Sequence, residues 1–145
     1  MAIITAGSDH AGYALKSALV AWLRDHGHAV TDVGTDSPDR TDYPLYAGSV
    51  ARHVAGHPGE FGLLVCGSGQ GVAMTANRVP GVRAALLRTV DDAVLARQHN
   101  DATIACFGER RTGLGEATAI LAAFLDTEFE GGRHAARVRL MDEQV

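Results

Sequence analysis

Cys66 closes an apolar run, Phe61-Gly62-Leu63-Leu64-Val65, and is followed at once by Gly67-Ser68-Gly69-Gln70-Gly71 and the Ala- and Met-containing stretch Val72-Ala73-Met74-Thr75-Ala76. A short apolar run, a glycine-rich crossing and a helix-like continuation read as strand, tight loop and helix start. Glycine admits backbone conformations closed to other residues. The amides of Gly67, Gly69 and Gly71 can therefore converge on one point, where the positive end of a helix favours negative charge. Cys66 stands at the mouth of this anion trap, and a helix N-terminus favours the thiolate, the form that acts as base or nucleophile.

The spacing excludes several uses of such a loop. No Gly-Lys-Ser/Thr follows, as a P-loop requires, and the third glycine is misplaced for a dinucleotide fingerprint. A cysteine phosphatase needs an arginine about six positions after its cysteine, and Val72 stands there. What remains is base catalysis with an oxyanion trap.

Other side chains capable of chemistry are scattered. His10 lies beside Asp9 and His99 beside Asn100, both in polar junctions. Arg133 and Arg137 are four apart and share one helix face, where two guanidiniums can clamp a phosphate; the same spacing also suits a solvated face. Cys106 ends a second apolar run and reads as a small buried hydrophobe. His26, His28, His53 and His57 fall at helix ends and turns and are assigned no function. The two cysteines lie far apart, and the loops rich in ligands lack a tight His and carboxylate cluster, so neither a metal nor a cofactor is expected.

These residues need elements to position them, and the chain alternates. Strands are predicted over 2–6, 29–33, 61–66, 82–87 and 103–107. Helices are predicted over 11–26, 46–55, the stretch after Gly71, 91–98 and 112–125, followed by a basic tail from Glu130. In the first helix Leu15, Ala18, Leu19, Trp22 and Leu23 share a face and Lys16 lies off it; in the last, Leu114, Ala117, Ile120, Leu121 and Phe124 do. Such alternation predicts parallel strands joined by right-handed crossovers, a three-layer α/β/α sandwich with a Rossmann-like five-stranded parallel sheet. Ligands gather outside the carboxyl ends of such strands. That edge would carry Gly7-Ser8-Asp9-His10, the loop from Asp36 to Tyr43, Cys66 to Gly71, and Gly108-Glu109-Arg110. His99 and Asn100, between the fourth helix and the fifth strand, fall on the opposite edge; a dimer would lend them to a neighbour's pocket.

Composition sets the frame. At 145 residues, 46% hydrophobic and 21% charged, the chain reads as one domain with a single core. A formal net charge of −4 argues against a nucleic-acid partner. No apolar run approaches a membrane span and no signal peptide is read, so a cytoplasmic protein with free thiols is expected.

Five motifs in order, Ser8-Asp9-His10-Ala11-Gly12, Arg40-Thr41-Asp42-Tyr43-Pro44, Cys66-Gly67-Ser68-Gly69-Gln70-Gly71, Arg97-Gln98-His99-Asn100-Asp101 and Glu130-Gly131-Gly132-Arg133-His134, resemble the type B ribose-5-phosphate isomerases, in the wider group with galactose-6-phosphate isomerase. The resemblance covers essentially the whole chain. It implies an aldose-ketose isomerase in which Cys66 moves a proton between C1 and C2 of the open-chain sugar. Ser68 would assist on the oxygens, and the Gly67, Gly69 and Gly71 amides would hold an enediolate. His99 would open the ring, helped by Asp9 and Tyr43, and Asn100 would bind hydroxyls. His10, Arg133 and Arg137, joined by Arg110, would hold the phosphate. It also implies a homodimer or dimer of dimers with shared sites. Some members replace the cysteine by a glutamate on the following helix, but Val72, Ala73, Met74 and Thr75 offer no carboxylate here. Two other classes stay open: a non-catalytic sugar-phosphate sensor, and a thiol redox protein pairing Cys66 with Cys106. The substrate could carry four, five or six carbons, with ribose 5-phosphate the default.

Overall fold

A computed structural model describes residues 1–145. Five strands and six helices alternate: β1 (Ile3–Ser8), α1 (Tyr13–Asp25), β2 (Ala29–Asp32), α2 (Tyr43–Gly56), β3 (Phe61–Cys66), α3 (Gln70–Ala76), β4 (Ala84–Leu86), α4 (Val90–Asn100), β5 (Ile104–Gly108), α5 (Leu114–Asp126) and α6 (Arg133–Glu143). A 3-10 turn over His10–Gly12 links β1 to α1. Every strand pairing is parallel, and the order is β2-β1-β3-β5-β4. The expected sandwich is therefore the one observed. The order changes direction between β1 and β3, so the loops leaving these two strands diverge and open a crevice.

Side chains alternate along β3 and split the core in two. Leu63 and Val65 point to one face, where α1 and α5 pack with Leu19, Leu23, Phe107, Ile120 and Phe124. Leu64 and Cys66 point to the other, against Val50 and Val54 of α2 and Val72 and Ala76 of α3, with Cys106 beside them. Burying side chains of this size contributes roughly 1.5–3 kcal/mol each, so both faces hold the strand ends firmly. No helix is long and apolar enough to cross a membrane.

Some expectations change. Lys16, assigned to the solvated side of α1, is only 1% exposed. Its Nζ donates to both oxygens of Asp32 (2.9 and 2.8 Å) and to the Thr35 carbonyl (2.6 Å), and a buried ammonium is tolerated only when paired in this way. Leu114, expected on the buried face of α5, opens the helix instead and is largely exposed. Tyr43 is the first residue of α2, not the end of a loop, because Pro44 is accommodated in a first helical turn, which needs no N–H. His99 and Asn100 form the last turn of α4, which ends at Asp101 in the left-handed conformation (φ 47°). They lie in a helix rather than a connecting loop. Their edge is as expected, since α4 runs back to where β5 begins.

Candidate active site

Three strand ends converge at the switch in strand order. The chain leaving β1 brings Asp9, His10 and Ala11, that leaving β3 brings Cys66, Gly67, Ser68 and Gly71, and that leaving β5 brings Arg110. With Tyr43 from the first turn of α2 they line an open cavity of about 320 Å3.

Each wall has a local cause. Asp9 caps the 3-10 turn, its Oδ1 accepting from Gly12 N–H at 3.0 Å. Thr41 presents both N–H (3.2 Å) and C=O (3.1 Å) to His10 Nδ1, so the ring keeps its position whether that nitrogen is bare or protonated. Thr41 Oγ1 in turn meets Tyr46 Oη at 3.0 Å. Thr41 is the support that sequence reasoning missed, although it stands in the second motif.

The loop after Cys66 is built around Gly69, whose φ of +80° is a left-handed conformation. A Cβ there would come within 2.4 Å of Leu86 Cδ1 and 2.9 Å of the Phe107 carbonyl carbon, so only glycine lets the loop lie on β5. Arg110 N–H donates to Gly67 O (3.0 Å) and Glu109 N–H to Cys66 O (2.9 Å), tying the β5 loop to the trap. Glu109 also anchors α1, its Oε1 accepting from Leu15 N–H at 2.7 Å. Gln70 N–H donates to Ser68 Oγ at 3.3 Å, whereas Gly67, Gly69 and Gly71 donate to no acceptor in the chain. The Tyr43 ring rests on Gly71, where a Cβ would sit 2.6 Å from Cε1.

The two thiols differ. Cys66 is 5% exposed and lines the cavity. Cys106 is fully buried, and burial pushes its thiol far up, with a smaller push from the Cys66 charge. In the β3–β5 register Cys66 pairs with Gly108 and Leu64 with Cys106, so the thiols are offset by two residues across one strand spacing. That places their Cα atoms about 8 Å apart, beyond the roughly 7 Å limit of a disulfide, which disfavours the redox reading.

The remaining candidates lie elsewhere. None of His99, Asn100, Arg133 and Arg137 lines the cavity at Cys66. His99 stacks on His134 of α6, centroids 4.3 Å apart and planes 14° apart. His134 is buried, and its Nε2 has no hydrogen-bond partner. Burial first, then His99 and Arg133, hold its pKa below the usual 6.5, against a raising influence of Glu130. Asn100 borders a separate, mainly apolar cavity with Ala84, Ala85 and Met141. The fold also assembles two His and carboxylate clusters that the sequence did not reveal, His53-His57-Glu60 and His99-Glu130-His134.

Residues 4–141 match the family described as Ribose/Galactose Isomerase. The chain belongs to this family. It is 46% identical over 135 residues to ribose-5-phosphate isomerase B of Escherichia coli, covering 93% of this chain and 91% of that one. It is 39% identical over 141 residues to the Mycobacterium tuberculosis protein of the same name, covering 94% and 86%. Among solved structures, the Clostridium thermocellum ribose-5-phosphate isomerase B superposes with a TM-score of 0.96 at 42% identity, covering 98% of this chain and 96% of that one. The Mycoplasma genitalium enzyme with bound ribulose-5-phosphate superposes at 0.94 and 38% identity, covering 98% and 95%. Family membership carries aldose-ketose isomerase chemistry, which the sensor reading lacks.

Proposed function

We propose that this protein interconverts D-ribose 5-phosphate and D-ribulose 5-phosphate through an enediolate, with Cys66 as the base. The observation that carries the reading is the cavity at the β1/β3 switch, where Cys66 sits with the unengaged amides of Gly67 and Gly71 and faces Asp9, His10, Tyr43 and Arg110, whereas Gly69 lies outside this lining, against Leu86 and β5.

The chemistry follows from that arrangement. The Cys66 thiolate takes the proton from C2 of the open-chain aldose, and the electron pair moves to O1. The resulting enediolate is held by the loop amides, preorganised donors of the kind that contribute about 3–4 kcal/mol apiece to a developing oxyanion. Ser68 Oγ relays a proton between O1 and O2, and the thiol returns its proton to C1, giving the ketose with no net change in composition. His10 and Arg110 hold the phosphate, and Arg110 enters no ion pair of the chain that would compete for it.

Ring opening and the rest of the phosphate clamp need His99, Asn100, Arg133 and Arg137, which lie outside this cavity. A homodimer, alone or doubled into a tetramer, supplies them from a neighbouring chain. Asp9 and Tyr43 assist ring opening from this side.

A coupled isomerase assay across four-, five- and six-carbon phosphosugars at subsaturating concentration tests the substrate assignment, because the ratios of kcat/KM report differential transition-state binding. Ribose 5-phosphate is expected to lead. A clear preference for a six-carbon or four-carbon phosphate would reassign the substrate within the same chemistry.

A further inference from the structure

His53 and His57 stand one turn apart at the C-terminal end of α2, and their rings stack with centroids 4.0 Å and planes 10° apart. The chain then turns through Pro58 and Gly59 (φ +91°), a reversal closed by Glu60 N–H donating to His57 O at 3.1 Å. The turn returns the Glu60 carboxylate to the helix, with Oε2 at 2.8 Å from His53 Nε2. One ligand atom from each of the three residues lies within 4.8 Å of the others. We propose that His53, His57 and Glu60 bind a divalent transition ion, zinc by the chemistry of the donors, with the fourth position open to water.

The protonation pattern is suited to it. His57 Nδ1 lies 2.7 Å from the His53 carbonyl. A carbonyl only accepts, so Nδ1 carries the proton and the Nε2 lone pair is left for a ligand. A ring N–H held by a carbonyl is the outer support that metal-binding imidazoles commonly use. Between His53 Nε2 and Glu60 Oε2 there is now a shared proton, and the metal takes its place. A charged ring releases that proton to solvent, and a neutral one carries it on Nδ1 instead.

Binding requires the stacked His53 and His57 rings, whose planes lie 10° apart, to turn out of parallel so that both Nε2 lone pairs meet at one ion. Bonds of about 2.0–2.1 Å to a tetrahedral ion put donors about 3.3 Å apart, closer than the 4.8 Å within which one ligand atom of each residue now lies, so the side chains must close on the ion. His53 is 39% and Glu60 21% exposed, which leaves their χ angles free to do this. The C-terminal end of α2 favours a cation. Arg83 and Arg97, which border the adjoining cavity, are engaged by Asp101 and Asp142. The competing reading is a plain exposed His–Glu pair.

Calorimetric titration of the whole protein with Zn2+ decides between them, with Co2+ absorption reporting the geometry. Saturable binding with tetrahedral Co2+ bands is expected, and it should weaken by at least ~10-fold in His53→Gln/His57→Gln, since losing ligands costs no less than losing an outer-shell partner. The cluster at His99, Glu130 and His134 is a rival location, so the titration is repeated with His134→Asn, which should leave this binding in place. Retained isomerase turnover in the double variant shows that it folds, because neither His53 nor His57 lines the cavity at Cys66 or belongs to the proposed machinery. Unchanged affinity in the double variant, or no saturable binding by the wild type, overturns the proposal.

Discussion

The His99 and His134 rings stack 4.3 Å apart where α4 meets α6, at the edge of the sheet opposite the one Cys66 occupies. One chain therefore carries the two halves of the proposed machinery on opposite edges. A two-fold dimer can bring Cys66 of one subunit to His99 of the other.

That arrangement predicts complementation between two dead variants. Cys66→Ala and His99→Ala should each be inactive alone, whereas co-expression should restore activity at about a quarter of the sites, because half the dimers are mixed and each mixed dimer has one intact site. Subunit mixing is verified by differential tagging. No recovery in verified mixed dimers would mean that each site is built within one chain.

His134 makes a prediction about pH. Burial, then His99 and Arg133, hold its folded pKa below 6.5, with Arg137 acting in the same direction and Glu130 against it. As pH falls below 6.5 the unfolded chain takes up the proton first, so stability declines between 6.5 and the lowered folded value and is unaffected by this residue above it. The slope of Tm against pH in that window should flatten in His134→Asn. Parallel slopes for the two proteins would remove His134 as the cause.

The thiols should separate under alkylation. Iodoacetamide should label Cys66, which borders the cavity, and leave Cys106, which is fully buried with its thiol pushed up. Peptide mass mapping of native protein gives the answer, and labelling of both at similar rates would contradict the burial argument. Bound substrate should protect Cys66.

Two glycines of one loop should fail in different ways. Gly69→Ala meets backbone at 2.9 Å in a left-handed conformation, a cost of about 1–3 kcal/mol from strain alone, and a Tm lower by roughly 2–4 °C per kcal/mol. At Gly71 the three nearest atoms that a Cβ would meet all belong to the Tyr43 ring, a side chain that can move. Gly71→Ala should keep its Tm while kcat/KM falls by up to ~100-fold as the ring is displaced from the cavity. Thermal melts and steady-state kinetics on both variants check the contrast, and equal losses of Tm would contradict it.

Strand and helix alternation was legible because most strands are short apolar runs and most turns carry a glycine or proline, the connections at Leu87-Arg88-Thr89 and Asp101-Ala102-Thr103 being exceptions. Cys66 and its loop were legible for the same reason, as three glycines in five positions admit few other readings. Lys16 was not, because polarity assigns a lysine to solvent and only the folded chain brings Asp32 and the Thr35 carbonyl to it. The His53-His57-Glu60 cluster was hidden similarly, since Glu60 reaches His53 only through the turn at Pro58 and Gly59. The edge assignment of His99 survived an error in its element, because a helix running back along a parallel sheet ends where the next strand begins whatever its last residue.

The central claim is that the Cys66 thiol moves the proton at C2. The measurement is exchange of the C2 proton of ribose 5-phosphate with solvent deuterium, followed by NMR alongside ketose formation, in wild type and Cys66→Ala. The wild type should exchange and isomerise. The variant should still bind the sugar phosphate but lose both activities by at least ~100-fold, the lower range of general-base contributions. Near-native exchange in Cys66→Ala would contradict the account.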